Sequence, residues 1–401
     1  MEQLVIRGVR ILDGRRMKPI EDGALVAEGG RISYVGPARL GPPVGGGARV
    51  IEASGKTLIP GLIDCHVHLC FDGTGDFPGE VAALNLSLAA LKAARNAGRW
   101  LEAGVTTVRD LGGYKSAVIE VARAQRLGIV VGPRILAAGE VLTITGGQGH
   151  FIGKEVDNAD EIVRGVRELV KAGADLIKII ASGGILTPGV SAQRSAFTVE
   201  EIAAATQEAH EANRRVAAHA IGERGIVAAL RAGVDSIEHG CFLSDEALKL
   251  FKETGAWLVA TLVAPHAIIE GGEQVPEYAL RKAEEVRSTH VESFRRALES
   301  GVRMAAGTDA GTPFNIHGEL TRELRLMHEN GMPLEDVLAS ATREAAALLD
   351  LDNVGTLEEG READAVLVDG DPLTDIGAFE RVILVVQGGR IVVDHSDGSL
   401  G

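Results

Sequence analysis

The amino-acid sequence predicts an α/β fold, a (β/α)8 TIM barrel inserted into a small β-sandwich domain built from both chain termini. Three observations predict it. Residues 1–57 contain short strand-like runs without a helical period, a helix-end pattern recurs along the middle of the chain, and strand-like runs return after residue 356. Alternating buried strands and helices form parallel sheets, and eight such units over roughly 300 residues have the size of a TIM barrel.

The N-terminal segment predicts a β unit, because short apolar runs alternate with turns that contain Gly or Asp. Its predicted strands are Leu4–Ile6, Val9–Leu12, Gly23–Val26 and Ile32–Val35. The Gly- and Pro-rich stretch from Leu40 to Ala48 predicts a loop.

The middle of the chain carries an internal repeat. Leu101–Val105 (LEAGV) is echoed by Val170–Ala174, Leu230–Val234 and Leu298–Val302. Each copy ends an amphipathic stretch with a Gly suited to a left-handed helix cap, and an apolar run follows each. Thr198–Glu201 adds a capping box at a helix start. The predicted barrel strands end near His68, Asp110, Ala138, Ile180, Ala220, Gly240, Leu262 and Asp309.

The C-terminal segment predicts three more strands, Ala365–Val368, Arg381–Val386 and Arg390–Val393, with Gly388-Gly389 as a hairpin turn. We expect them to pair with the N-terminal strands. The predicted domains are therefore 1–57 with 356–401 for the sandwich, and 58–355 for the barrel.

The composition is that of a globular protein, with 45% hydrophobic and 24% charged residues among 401. A net charge of −15 without a basic cluster argues against nucleic acid as a partner. No signal peptide and no apolar run of membrane-spanning length is visible, so we expect no membrane partner. Cys65, Cys70 and Cys241 form no CxxC pair, which is typical of a cytoplasmic protein with reduced thiols. A small-molecule substrate is expected, and a homo-oligomer is compatible with the sequence.

Candidate functional residues lie where predicted barrel strands end, which is where TIM barrels carry their reactive groups. His66 and His68 have the i, i+2 spacing that puts two side chains on one face of a strand. Taken alone, this pair fits a metal site or a solvated strand end equally well. The groups at the other strand ends are Lys178, His219, His239 and Asp309. Six such groups facing one cavity disfavour a purely structural role and favour a metal site.

Lys178 is unusual because a lysine inside an apolar strand is costly unless it is paired or modified. Three interpretations compete: a Schiff-base lysine, a structural ion pair, or a lysine that CO2 converts to a carbamate. A carbamate has two oxygens and one negative charge and can bridge two cations. Beside four histidines and an aspartate, a carbamate explains the buried lysine better than the other two interpretations do.

Several motifs carry a resemblance that covers essentially the whole chain. They are Pro60–Asp64 (PGLID), Thr106–Gly113 (TTVRDLGG), Gly307–Pro313 (GTDAGTP), Gly355–Leu357 and Ala363-Asp364. The sequence resembles the amidohydrolase superfamily, specifically its imidazolonepropionase-like branch of binuclear dipeptidases and amidases, which includes prolidase-like enzymes. The resemblance implies two divalent metal ions, usually zinc. It assigns His66, His68 and Asp309 to one ion and His219 and His239 to the other, with carboxylated Lys178 and a hydroxide bridging them.

The resemblance implies hydrolysis of an amide C–N bond, most plausibly in N-acyl amino acids or dipeptides. Hydroxide would attack the carbonyl, and Asp309 would carry the proton to the leaving nitrogen. Ile221 stands where related carboxypeptidase-like members often have Tyr, which keeps neutral amides, ureas and carbamates open as substrates. A mononuclear cyclic-amide hydrolase or deaminase is disfavoured by Lys178, and a non-catalytic scaffold by the complete ligand set.

The remaining histidines are weaker candidates. His150 ends a Gly-rich loop, Thr145–His150, and is predicted to contact substrate; the alternative is a turn cap. Gln148 stands where related chains often have another histidine. His210, His290 and His328 are expected to be solvated on helices, and His266, His317 and His395 to lie in loops.

Overall fold

A computed structural model describes residues 3–15 and 18–396 and confirms the predicted α/β class. The chain ends, including 397–401 of the predicted C-terminal domain, lie outside the described residues. The strands are β1 (Gln3–Ile11), β2 (Ile20–Glu28), β3 (Arg31–Pro37), β4 (Arg49–Glu52), β5 (Thr57–Pro60), β6 (Leu62–Val67), β7 (Val105–Asp110), β8 (Arg134–Ala137), β9 (Val141–Thr143), β10 (Gly153–Glu155), β11 (Leu176–Ile180), β12 (Arg215–Ala220), β13 (Ser236–His239), β14 (Trp257–Val259), β15 (Ala365–Val368), β16 (Val382–Gln387) and β17 (Arg390–Asp394). The helices are α1 (Phe77–Ala82), α2 (Leu86–Glu102), α3 (Ala117–Arg126), α4 (Ala159–Ala172), α5 (Val199–Glu211), α6 (Glu223–Arg231), α7 (Asp245–Thr254), α8 (Val263–Gly271), α9 (Glu277–Glu299), α10 (Leu320–Glu329), α11 (Leu334–Ser340) and α12 (Arg343–Leu348).

Strands from both termini share one sheet, in the order β17-β16-β15-β5-β1-β2-β3, with β4 paired to β1. The central strand β5 runs antiparallel to β15 and parallel to β1. Buried residues such as Ile6, Leu25, Leu58, Leu367 and Leu384 form its own hydrophobic cluster. The expected pairing of N-terminal with C-terminal strands is therefore present.

The barrel strands pair in parallel as β6-β7-β8 and as β10-β9-β11-β12-β13-β14. The glycines that end the sequence repeats have the predicted left-handed φ, +98° at Gly173 for example. The capping box of Thr198 and Glu201 also forms, at the start of α5. None of the helices in the described ranges is long and apolar enough to cross a bilayer.

The predicted seventh and eighth barrel strands differ from expectation. β14 ends at Val259 rather than Leu262, because Thr261 has a φ of +52° and α8 begins at Val263. The predicted eighth strand is not a regular ladder. It contacts its neighbours through isolated bridges, Leu258 to Met304 and Val67 to Ala310. The positive φ of the intervening Asp309, +63°, interrupts the extended backbone that a ladder needs.

Candidate metal centre

The parallel register of three neighbouring strands brings Lys178, His219 and His239 to one end of the barrel. Ile180 lies opposite His219 in the β11–β12 pair, and Ala220 lies opposite His239 in the β12–β13 pair. The ring centroids of His219 and His239 are 4.7 Å apart, and those of His66 and His239 are 5.2 Å apart. The predicted ligands thus meet at the carboxyl ends of the strands, as expected in a TIM barrel.

His66, His68 and Asp309 form the tightest group, with potential ligand atoms within 4.8 Å of one another. Asp309 Oδ1 lies 3.2 Å from His66 Nε2 and 3.0 Å from His68 Nε2. Burial opposes ionisation of Asp309, but His66 and His68 outweigh it and hold the pKa of that carboxyl well below its usual range. Two imidazoles and an ionised carboxylate fit a divalent cation with nitrogen and oxygen ligands.

Partners on the far side of the rings orient these histidines. His68 Nδ1 lies 2.7 Å from the Gly112 carbonyl, and His239 Nδ1 lies 2.7 Å from Thr261 Oγ1. Metal-bound histidines characteristically use their second ring nitrogen in this way, which fixes the tautomer. The arrangement leaves Nε2 of both rings for a cation.

His219 and His239 form the second candidate group. His219 Nε2 lies 3.1 Å from the Gly183 carbonyl, so its Nδ1 is the nitrogen left for a ligand role. Burial, reinforced by the charge of Lys178, lowers the pKa of His219 to about 3. Burial likewise holds the pKa of His239 well below its usual value. Both rings are therefore neutral at neutral pH, as metal binding requires.

Lys178 is 2% exposed and lines the same cavity. Within residues 3–15 and 18–396 its amine forms no ion pair, which disfavours the structural ion-pair interpretation. Burial lowers the pKa of Lys178 to about 8, although Glu238 and Asp309 oppose this shift. An appreciable fraction of the amine is then neutral, the form that reacts with CO2.

A buried ion pair beneath the site was missed by the sequence analysis. Arg109 donates to both oxygens of Glu238 at 3.0 and 3.1 Å, and Glu238 Oε2 lies 2.9 Å from His66 Nδ1. Burial opposes ionisation of Glu238, but Arg109 and His66 outweigh it and lower its pKa to about 2. The available signal was an arginine and a glutamate, opposite in charge, each inside a buried strand, β7 and β13.

Three residues of the site have left-handed backbone conformations that are strained for side chains other than Gly. The φ angles are +72° at His239, +52° at Thr261 and +63° at Asp309. Such strain costs on the order of 1–3 kcal/mol per residue and clusters at functional sites. These conformations turn His239 and Asp309 toward the cavity just where their strands end.

The cavity has a volume of about 90 Å³ and mostly apolar walls. Besides the six predicted ligands, its polar lining consists of Gln148, His290 and Thr312. Within the part of the chain that the structure describes, Lys178 is the only lysine or arginine that lines it. His150 is not among the lining residues. It is exposed, with Nδ1 3.0 Å from the Gly147 carbonyl, so its contact with substrate stays a prediction.

Two other histidine expectations are wrong. His290 is 1% exposed rather than solvated, because it lies on the inward face of α9, with Nε2 3.0 Å from the His239 carbonyl. His266 lies in α8 rather than in a loop. His317 does lie in a loop, where it is buried between Trp100 Nε1 at 3.1 Å and the Phe71 carbonyl at 2.8 Å.

Comparison with known proteins places these features in context. The model of the amidohydrolase family matches residues 57–392. Ochratoxinase from Aspergillus niger is 30% identical over an alignment covering 96% of this chain and 85% of that protein. A crystal structure of a Xaa-Pro dipeptidase with bound methionine has a TM-score of 0.90 and 33% identity, covering 97% of this chain and 99% of its own. A prolidase complexed with N-methylphosphonate-L-proline has a TM-score of 0.90 and 34% identity, covering 98% and 100%.

Proposed function

Because the chain belongs to the amidohydrolase family, and the relatives named above hydrolyse C–N bonds, we propose that it is a binuclear metal-dependent amide hydrolase. In this proposal His66, His68 and Asp309 hold one divalent cation, and His219 and His239 hold the other. Lys178, converted to a carbamate, would supply a ligand to both. Zinc is the proposed ion, and nitrogen and oxygen ligands also accept related divalent metals.

The observation that carries the proposal is the buried, unpaired Lys178 beside five potential ligands. An isolated ammonium would be costly there. Conversion to a carbamate replaces the positive charge with a negative one. A negative charge next to two metal cations would be favourable, whereas a buried ammonium there would not. Six ligands also exceed what one four-coordinate ion needs.

When bound, the two cations would polarise the scissile carbonyl and make a water molecule acidic enough to ionise near neutral pH. Asp309 would take a proton from the attacking water and deliver it to the leaving nitrogen, because its carboxylate faces the cavity and is ionised at rest. The Gly112 carbonyl, Thr261 and Glu238 lie against the second ring nitrogens of His68, His239 and His66, which keeps the ligand atoms converged before substrate arrives.

Two substrate classes have support. Similarity to the dipeptidase and prolidase structures favours dipeptides or N-acyl amino acids. The lining favours neutral amides, ureas or carbamates, since a free carboxylate buried in the cavity would need a cation other than Lys178. Turnover of metal-loaded enzyme on all these classes decides between them. Hydrolysis of neutral substrates alone would reject the dipeptidase alternative.

Replacing Lys178 tests the bridge. Lys178→Ala should lose metal and activity, and a short carboxylate such as formate should restore part of both. Lys171→Ala removes an exposed lysine and serves as the control. Retention of two ions per chain by Lys178→Ala, or an unmodified amine in the fully loaded crystal structure, would contradict the carbamate.

A further inference from the structure

One wall of the cavity is made by a long connection without helix or strand, between β11 and α5. We call residues 183–194 the cavity loop. Its base is tied together by Gly183 N, which donates to the Arg194 carbonyl at 2.7 Å, and by a bridge between Ser182 and Ser195. Its Ile185 and Leu186 line the cavity. Long connections of this kind are commonly functional.

The cavity loop is held by a lysine on another element. Lys282 of α9 donates its ammonium protons to three carbonyls of the loop, those of Gly184 at 3.1 Å, Thr187 at 2.7 Å and Val190 at 2.6 Å. An ammonium has three protons to donate, so all its hydrogen bonds go to this one segment. Lys282 is 8% exposed. None of the carboxylates in the described ranges forms an ion pair with it, so the three carbonyls are its hydrogen-bonding partners, and the centroid of the Tyr278 ring lies 5.7 Å from its ammonium.

Further hydrogen bonds hold the same loop. Tyr278, one turn before Lys282 on α9, donates its hydroxyl to the Leu186 carbonyl at 3.0 Å. From the opposite side, Gln148 accepts a hydrogen bond from Thr187 N at 3.1 Å. The loop is thus fixed at its tip by α9 and at one flank by the segment that follows β9.

We propose that Lys282 is a positioning residue that holds the cavity loop so that Ile185 and Leu186 form a fixed apolar wall, and that this wall selects substrates with a bulky apolar group next to the cleaved bond. The selectivity half rests on the proposed amide hydrolysis. The positioning half does not, because loop mobility is measurable without turnover.

The Lys282→Met variant tests both halves, since it keeps the length of the side chain and removes the three donors. Arg281→Met is the matched control: Arg281 is the neighbouring cation on α9, is 64% exposed, and pairs with Glu285 rather than the loop. Amide hydrogen exchange should accelerate about tenfold or more at the protected loop amide of Thr187 in Lys282→Met, because hydrogen bonds to a charged donor are lost. Exchange at the amides of β11 should stay unchanged in Lys282→Met, and exchange at the loop amides should stay unchanged in Arg281→Met.

The kinetic readout uses two p-nitroanilides that differ only in the acyl group, acetyl and phenylacetyl. Lys282→Met should raise KM for the phenylacetyl substrate about tenfold, with kcat and the KM for the acetyl substrate within about twofold, since apolar contacts with the wall are lost. A parallel loss of kcat for both substrates would overturn the selectivity half. Unchanged loop exchange, or equal acceleration throughout α9 and the barrel, would overturn the positioning half.

The Tyr278→Phe variant covers the case in which Lys282→Met does not fold, because it removes only the half-buried hydroxyl bonded to Leu186. It should accelerate exchange in the cavity loop about threefold, in line with one neutral hydrogen bond, and no acceleration would count against the proposal. Wild-type enzyme that cleaves no C–N bond would instead reject the proposed function, and the exchange result would still decide whether Lys282 holds the loop.

Discussion

Replacing Arg109 with methionine should destabilise the metal-free protein by about 3–5 kcal/mol, because it leaves the Glu238 carboxylate buried without its cation. The side chains of Arg109 and Glu238 are 3% and 0% exposed. Arg109 also donates to the Cys65 carbonyl at 2.5 Å and to Ser236 Oγ at 3.0 Å, so three acceptors lose their donor together. Methionine retains much of the side-chain volume, so the loss reflects charge and hydrogen bonding more than a cavity.

The assay is equilibrium urea unfolding followed by circular dichroism in the presence of a chelator, so that metal affinity does not contribute to the result. Arg231→Met is the control, since Arg231 pairs with Glu246 at the surface, with side chains 53% and 50% exposed. It should cost less than about 1 kcal/mol. The double variant Arg109→Met/Glu238→Gln should cost less than the sum of the two single changes. Additive losses of stability would refute the coupling between Arg109 and Glu238. So would an Arg109→Met variant that loses no more stability than Arg231→Met.

Three further predictions concern acid stability, proton transfer and metal removal. Burial lowers the pKa of His317 to about 4, so the stability that its neutral form contributes is present above a pH of about 6.5 and is lost as the pH falls to about 4. The stability advantage of wild type over His317→Gln should shrink by about 3 kcal/mol across that window, and an advantage that stays constant with pH would contradict the assignment. Asp309→Asn should slow amide hydrolysis much more than hydrolysis of activated aryl esters, whose leaving groups need no proton; equal slowing would make Asp309 a ligand only. Chelation should lower the thermal midpoint, and added Zn²⁺ should raise it with increasing concentration, whereas a midpoint insensitive to both would argue against a metal bound to the native state.

The sequence predicted the barrel and the gathering of the candidate ligands around one cavity, because both depend on local patterns. Alternation places His66 and His68 on one face, and the ends of parallel strands gather Lys178 and His219 without knowledge of tertiary detail. The pattern that ends a strand with a histidine or an aspartate is readable from a single chain.

Features that depend on packing between distant elements were not readable. The sequences of β7 and β13 show charged residues inside barrel strands, but they do not reveal that Arg109 pairs with Glu238 across the barrel. His290 was expected at the surface because helical periodicity does not say which partly polar face of α9 turns inward. The irregular eighth strand follows from the positive φ of Asp309, which no propensity for aspartate predicts with certainty.

The sheet that joins both termini has a consequence for folding during synthesis. β5 cannot meet its partner β15 until residues up to Ala365 have left the ribosome, since Pro60 pairs with Ala365. Until then the edge of β5 is open, and unpaired strand edges promote aggregation. Because the barrel lies between the two strands in the chain, it has time to fold first and to hold the open edge near the place where β15 will arrive. Loss of β15, β16 and β17, through a premature stop codon for example, should therefore harm solubility before it harms the candidate metal centre.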